Sequence, residues 1–465
     1  MKTYQDLIAL GDREADRVEF IKAAITEHRA SRDYQTAMEA EEYLAQRNVT
    51  INRYQKLLYD LQGEAHPDRF TANHKCKSSF FKRFVIQQVS YLLGNGVSFE
   101  ENGVKDALGK DFDTRLYEIG KSSLVQGVSF GFFDRDHVQF FALTEFVPLY
   151  DEEDGALKAG IRFWQLDPKK PLRATLFELD GMTDYIDRKD DKGMVMLKDK
   201  HPYISVERKT KFDGTITTDG RNYPSFPVVP LYGNAARQSE LVGMRENIDC
   251  YDLIKSGFAN DLDDASFIFW TLENAGGMDD MALARFVERM KTLRAAVVDG
   301  DDGAKATAHT IDVPYQSREA YLTRLRDDMY EDYMALNTAQ IAAGNVTATQ
   351  INAAYEPVDN KADEFEFRVI DFIQGILTVA GLSGVPTFKR SRIVNRQEET
   401  TMVLAAAEYL DDETMLRKLP FLTEDEIAGI LERKDAEEAA RMPSASPIEI
   451  KKEALGALSA VPPVV

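Results

Sequence analysis

Two segments, at about 239–265 and 317–337, each carry a single narrow apolar stripe, and they constrain this chain more than any other feature. In the first, Leu241, Met244, Ile248, Tyr251, Ile254, Phe258 and Leu262 recur every three or four residues. That is the period of a helix with one buried face. The second repeats the pattern with Leu322, Leu325, Met329, Tyr333 and Leu336, and Ser317 stands where an N-cap belongs. A helix as long as the first reaches roughly 40 Å at 1.5 Å per residue. Gly257 inside it costs about 1 kcal/mol against Ala and marks a mild weakness or a bend. Each stripe is too narrow for a complete core, so the helices must pack side by side, within or between chains. Between them lies a small α/β insert. It has a strand from Phe267 to Leu272, a helix from near Asp280, and a hairpin-like pair, Ala295 to Val298 with Lys305 to Val313. Two helices flanking a small domain read as a stalk with a tip.

The stalk follows a mixed domain. Residues 1–62 read as helices, with Leu7, Leu10, Val18, Ile21 and Ile25 spaced among charges. They are either an arm over a neighbour or a cap on their own domain. A helix fits 78–93, with Phe81, Phe84, Val85, Val89 and Leu92 on its apolar face and Gly94 as its stop. Another fits 111–127. From 128 to about 230 the period changes to two, in short runs such as SFGFFD, HVQFFAL and RATLFELD separated by turns. This predicts an antiparallel meander, and helices followed by strands give an α+β class. After the second long helix comes a polar stretch, AQIAAGNVTATQ, then an apolar helix at 361–380, and two or three helices at 396–440. Residues 441–465, with Pro443, Pro447, Pro462 and Pro463, read as a disordered tail.

Catalytic signatures are absent. There is no GxxxxGK[ST], HExxH or GxSxG, and the six histidines share no ligand spacing. No catalytic, cofactor or metal residue is therefore expected. The Asp299-Gly300-Asp301-Asp302-Gly303 run lacks calcium-loop spacing and reads as a turn. Paired acids such as Asp263-Asp264 and Asp327-Asp328 leave a metal nuclease formally open, but no assisting Lys or His stands near them. Cys76 and Cys250 form no disulfide framework, which fits a reducing compartment. The acidic N-terminus is not a signal peptide, and no run of about 18 apolar residues is present to span a membrane. The net charge of −21 disfavours a tight grip on nucleic acid. Lys75, Lys77, Lys82 and Arg83 form a local basic patch. It is either a solvated helix face or a contact with nucleic acid or an acidic neighbour.

Four stretches carry a resemblance to the portal proteins of long-tailed phages, in the siphophage branch. They are FFKRFVIQQVSYLLGNGVSFE (80–100), the 117–153 stretch with VQFFALTEFVPLYDEE, FPVVPLYGNAARQSELVGMRENIDCYDLIKSGFANDLDD (226–264), and Pro314 to Ile376. Together they cover most of 80–380, and the order of the words is more specific than any one of them. The resemblance implies a wing (1–235), stem helix one (236–266), a clip (267–312), stem helix two (313–337), a tunnel loop and connecting segment (338–360), a helical crown (361–440) and a tail (441–465). It implies a ring, typically dodecameric, at one capsid vertex, assembled in the host cytoplasm, through which double-stranded DNA is packaged and ejected. Implied partners are the terminase large subunit, a head-completion adaptor, and the major capsid and scaffolding proteins, with no membrane.

In that frame, Asn345, Thr347, Thr349 and Gln350 are the candidate DNA-channel loop. Glu246, Asp249, Asp252, Asp328 and Asp332 are candidate channel-facing stem acids. Residues 239–266 hold seven acids against two bases, a balance that would let DNA slide. Leu241, Met244, Ile248, Tyr251, Ile254, Phe258, Leu322, Leu325, Met329 and Tyr333 are the expected stem packing. The alternative is a capsid-associated structural or scaffold-type protein without a channel, which leaves the inserted tip unexplained.

Overall fold

The computed structural model describes most of residues 2–434. Outside the described residues lie 1, 12, 60–61, 70, 102, 136, 189–192, 210–215, 266–268, 310–313, 340–347, 393–395 and 435–465, and most of 274–304 and 420–428. The expected tail and the Ala295 to Val298 strand fall among these.

Four helices open the chain: α1 (Tyr4–Ala9), α2 (Glu14–Ala30), α3 (Arg32–Leu44) and α4 (Val49–Arg53). Thr3 and Asp6 close a capping box on α1. Ser31 ends α2 and caps α3, accepting from the Tyr34 N–H at 3.3 Å. One face of α2 buries Phe20, Ile21, Ala24 and Ile25 against Val147, Leu149, Ile161 and Tyr185 of the sheet described below. Arg17 fastens it with a two-pronged contact to Glu178 at 3.1 and 3.2 Å. Of the two readings of the N-terminus, the cap on its own domain therefore holds for α2.

A small ribbon follows, β1 (Leu57–Tyr59) paired antiparallel with β2 (Ala65–Pro67). Next come α5 (Phe80–Leu93), β3 (Val97–Phe99), α6 (Val104–Leu108) and α7 (Phe112–Gln126). The five apolar residues read from the sequence of α5 are all buried. Gly127 ends α7 at φ +88°, and a Cβ there would meet the Gln238 backbone at 2.9 Å. Both the dihedral and the space demand glycine.

The period-two region folds as three antiparallel sheets, not one meander. β4 (Val128–Asp134) sits between β5 (His137–Ala142) and β13 (Val228–Tyr232). Five strands, β6 (Phe146–Tyr150), β7 (Leu157–Trp164), β8 (Leu172–Glu178), β9 (Gly181–Asp187) and β10 (Met194–His201), pair in sequence order. β11 (Ile204–Lys209) and β12 (Ile216–Arg221) form a hairpin. The division follows from β4, whose first six residues are all buried. A strand covered on both faces needs partners at both edges, and β13 returns to supply the second. Pro148 lies in β6, an edge strand, where a missing N–H is tolerated. Opposite it, Gly160 leaves room for the Phe146 ring, which lies where a Cβ would be.

The stalk helices are α8 (Arg245–Asp264) and α9 (Tyr315–Asp332), with β14 (Phe269–Glu273) and β15 (Lys305–His309) paired between them. α8 starts six residues later than its stripe suggests. Leu241 and Met244 lie in the preceding turns, at Gly243 with φ +86°, and are buried all the same. Ser317 is not the cap of α9, because the helix already begins at Tyr315 after Pro314. The described partner of β15 is β14 rather than a near neighbour in sequence.

The largest departure is α10 (Ala348–Ala380), which begins 13 residues before the expected 361. Its polar-looking first turns present Ile351, Tyr355 and Val358 to Tyr91 and Leu336. That burial outweighs a weak local signal and the Pro357 inside the helix. Its later residues Phe365, Val369, Phe372, Ile373 and Ile376 enter the main core with α5, α7 and β4. Residues 361–380 thus belong to the main unit, which includes 350–392. β16 (Pro386–Phe388) pairs back onto β3. The second unit contains α11 (Arg396–Ala405) and α12 (Asp412–Lys418), the latter capped by Asp411.

Candidate functional site

α8 and α9 run antiparallel. Asn247 near the start of α8 donates to Asp332 at the end of α9 at 3.2 Å, and Arg318 near the start of α9 pairs with Asp261 near the end of α8. Arg318 also lies 6.0 Å from the Phe258 ring centroid. Of the expected packing residues, Leu241, Met244, Ile248, Leu325, Met329 and Tyr333 are buried. Tyr251, Ile254, Phe258 and Leu322 are half-buried. The buried set does not pack on α8 and α9 alone. α5 is the third member: Phe80 meets Tyr251 edge-on at 5.0 Å, and Phe84 stacks on Tyr333 at 4.8 Å and meets Tyr330 edge-on at 5.0 Å.

The opposite side of α8 is polar and holds an extended strap, residues 74–78. The Ser78 N–H donates to Asp252 Oδ1 at 2.8 Å, the Cys76 N–H to Ser256 Oγ at 2.9 Å, and the His74 N–H to Asn260 Oδ1 at 2.7 Å. The repeat distances explain the match. Four residues of helix rise about 6.0 Å, and two residues of extended chain rise about 6.6 Å. Asn48 adds its side-chain amide to Asp252, and Asp249 accepts from Tyr43 Oη at 2.5 Å and Thr50 Oγ1 at 2.6 Å. Burial pushes the Asp252 carboxyl above its ordinary range, against the pull of its hydrogen bonds from Asn48 and Ser78. Burial and the Asp249 contact push the Tyr43 phenol up to about 12.

These contacts correct two of the five acids read as channel-facing. Asp252 is fully buried and Asp249 faces α3 and α4. Glu246 and Asp332 are exposed, and Asp328 is half-exposed beside Arg324 at 2.7 Å. Thr349 and Gln350 lie exposed in the first turn of α10, whereas Asn345 and Thr347 fall outside the described residues. Sequence reasoning missed the strap contact, although a signal was present. Asp252, Ser256 and Asn260 are small polar residues at four-residue intervals, away from the apolar stripe.

A second polar knot secures α10. Lys361 Nζ bonds Glu240 at 2.7 Å and sits 3.3 Å from the Tyr333 ring centroid. Burial lowers its affinity for the proton, against the attraction of Glu240. Asp359 accepts from Tyr91 Oη at 2.5 Å and pairs with Arg390 at 3.1 Å and Arg392 at 2.5 Å. Among the described residues no group of three or more His, Cys, Asp and Glu could hold a metal ion. No described helix is long and apolar enough to cross a membrane.

A family model described as phage portal protein, SPP1 Gp6-like, matches residues 24–440. The portal protein of Clostridium phage phiCD119 is 28% identical over 267 residues, covering 52% of this chain and 58% of that protein, so the match spans little more than half the relative's length. The portal protein of Bacillus phage SPP1 is 23% identical over 416 residues, covering 82% of this chain and 80% of that one. Two solved structures align over 74% of this chain and 90% of theirs at 9% identity. They are the neck of an empty GTA particle computed with C6 symmetry, at a TM-score of 0.43, and the neck of a native GTA particle computed with C12 symmetry, at 0.40.

Proposed function

This chain belongs to the SPP1 Gp6-like family of phage portal proteins, and from that membership we propose that its copies close into a ring of about a dozen subunits at one capsid vertex, enclosing the channel for DNA. The observation that carries the reading is the reach of the family match, from residue 24 to residue 440, across the mixed domain, both stalk helices and α10. In this reading residues 1–235 are the wing, α8 and α9 the stem, and the β14–β15 region the clip that meets the terminase large subunit and later the head-completion adaptor. α10 continues from the tunnel loop into the core, and the crown is confined to residues after 392.

The electrostatics support passage rather than grip. Tight binding to duplex DNA comes from many Lys and Arg contacts to phosphate, and the chain carries 57 such residues against 78 acids. Glu246, Asp328 and Asp332 remain the channel-facing candidates on the stem, and Thr349 and Gln350 the described part of the loop nearest DNA. Major capsid and scaffolding proteins would surround the ring, which is assembled in the host cytoplasm and ends in the virion. The protein performs no chemical step in this scheme.

Native mass spectrometry of the purified chain over a range of protein and salt concentrations tests the ring. A closed assembly of about a dozen copies is the expected result. A chain that stays monomeric under every condition would overturn it.

A further inference from the structure

Two hydrophobic clusters adjoin at the corner where α2 turns into α3. Phe20, Ile21, Ala24 and Ile25 of α2 pack with the five-stranded sheet in one of them. Ala37, Ala40 and Tyr43 of α3 belong to the main core, as does Leu143 in the short turn between β5 and β6. His28, in the last turn of α2, reaches both clusters and is 1% exposed. Its Nε2 lies 2.8 Å from the Leu143 carbonyl oxygen. A carbonyl only accepts, so Nε2 carries the proton and Nδ1 is left as an acceptor. Nδ1 is buried and has no hydrogen-bond partner. The Tyr34 ring of α3 and the Phe163 ring of β7 stand edge-on to the imidazole, at centroid distances of 5.3 and 6.1 Å.

The pocket suits one charge state. A second proton goes to Nδ1, which becomes a buried donor with no acceptor, on a cation held among aromatic rings. The charged groups around the ring do not compensate. Arg29, next in sequence, lies 5.0 Å over the Phe163 ring and opposes a second cation. Asp33 of α3 attracts one, but from an exposed position. Glu145, in the same turn as Leu143, is exposed and acts on Arg162. Arg162 alternates with Phe163 along β7 and so faces the other side of the sheet. Burial outweighs the pull of the Leu143 carbonyl and of Asp33, and holds the His28 pKa below its ordinary 6.5.

We propose that His28 is a proton-operated joint between the two clusters. Neutral, it ties α2 to the main core through Leu143; protonated, it leaves that bond and frees the α2–α3 corner from β7 and the 143–145 turn. The sign follows from linkage. A histidine that holds its proton more weakly folded than unfolded costs nothing above the ordinary imidazole range, and its cost grows as pH falls through that range toward the folded value. The joint is closed at neutral pH and opens in acid. It belongs to the single chain and does not depend on the ring reading.

Hydrogen exchange of the full chain tests the joint, read by mass spectrometry from about pH 7.5 to about pH 4.5 and corrected for intrinsic rates. Peptides covering 24–36 and 143–147 should lose about tenfold or more in protection relative to α7, the factor that one pH unit between the folded and unfolded midpoints supplies. His28→Gln offers Leu143 an amide donor without a titrating ring, and in it that extra loss should vanish. An equal loss in His28→Gln, or no extra loss in the wild type, would overturn the joint. Should His28→Gln lower the helical signal in circular dichroism at neutral pH, the wild type alone decides. Deuterium uptake at the ring carbon between the two nitrogens of His28 then follows its titration, whose midpoint must coincide with the opening of both peptides. A ring that titrates while the peptides stay protected, or peptides that open while the ring stays neutral, would overturn it equally.

Discussion

The backbone N–H of Ser78 donates to Oδ1 of Asp252 at 2.8 Å, across 174 residues of sequence, at a carboxylate with no exposed surface. This contact anchors the strap to α8 and fixes which side of the helix faces inward.

Removing the acceptor should be costly. Asp252→Ala leaves the Ser78 N–H buried without its acceptor and the Asn48 amide with only the Ser78 carbonyl at 3.3 Å, for a loss of about 2 kcal/mol in chemical denaturation. A change within about 0.5 kcal/mol, the size of an ordinary surface substitution, would show that the strap does not depend on Asp252.

Two carboxyls should have opposite pH signatures. The folded-state pKa of Asp252 is raised, chiefly by burial, so its ionised form is penalised in the native state. Stability from this group therefore falls as pH rises from the ordinary carboxylate range through the raised value, and Asp252→Asn should gain on the wild type across that window. Asp359 is depressed, because hydrogen bonds from Tyr91, Arg392 and Arg390 overcome its burial. Its contribution is present above the ordinary carboxylate value and lost as pH falls through the depressed one, so the cost of Asp359→Asn should shrink in acid. Denaturation curves of both variants from pH 3 to pH 8 would decide; parallel curves for the two would contradict the assignment.

Leu325→Asp puts a charge into the packing between α8, α9 and α5, where Leu325 is 7% exposed. It should lower stability by about 3 kcal/mol or more and abolish assembly. Wild-type melting together with normal rings would refute the placement of α9.

Gly127→Ala must carry a side chain at φ +88° against the Gln238 backbone. The expected loss is about 2 kcal/mol, seen as a lower thermal midpoint. An unchanged midpoint would mean that the α7–β4 junction relaxes freely.

The sequence was most legible where a local period met a uniform environment. α5 and α7 start and stop within two residues of their expected ends, because apolar spacing and a following glycine act over a single turn. The strands of 128–230 were recognisable as strands. Their division was not, since β13 pairs with β4 from about a hundred residues away. For the candidate site, the apolar stripe found Ile248, but the other buried residues of α8 are Asp252, Ser256 and Asn260, and charge alone could not tell the exposed Glu246 from the buried Asp252.

What the sequence determined by itself was the α+β class, the pair of long helices around a small insert, and the family likeness, because these rest on patterns written within neighbouring residues. What only the tertiary structure decided was where those patterns are overruled. Tyr91 and Leu336 make a helix of 348–360, α5 completes the packing of the stalk, and the strap claims the polar face of α8. In each case the deciding free energy comes from burying groups far apart in the chain, and a period read along the sequence holds no record of which distant surface will arrive.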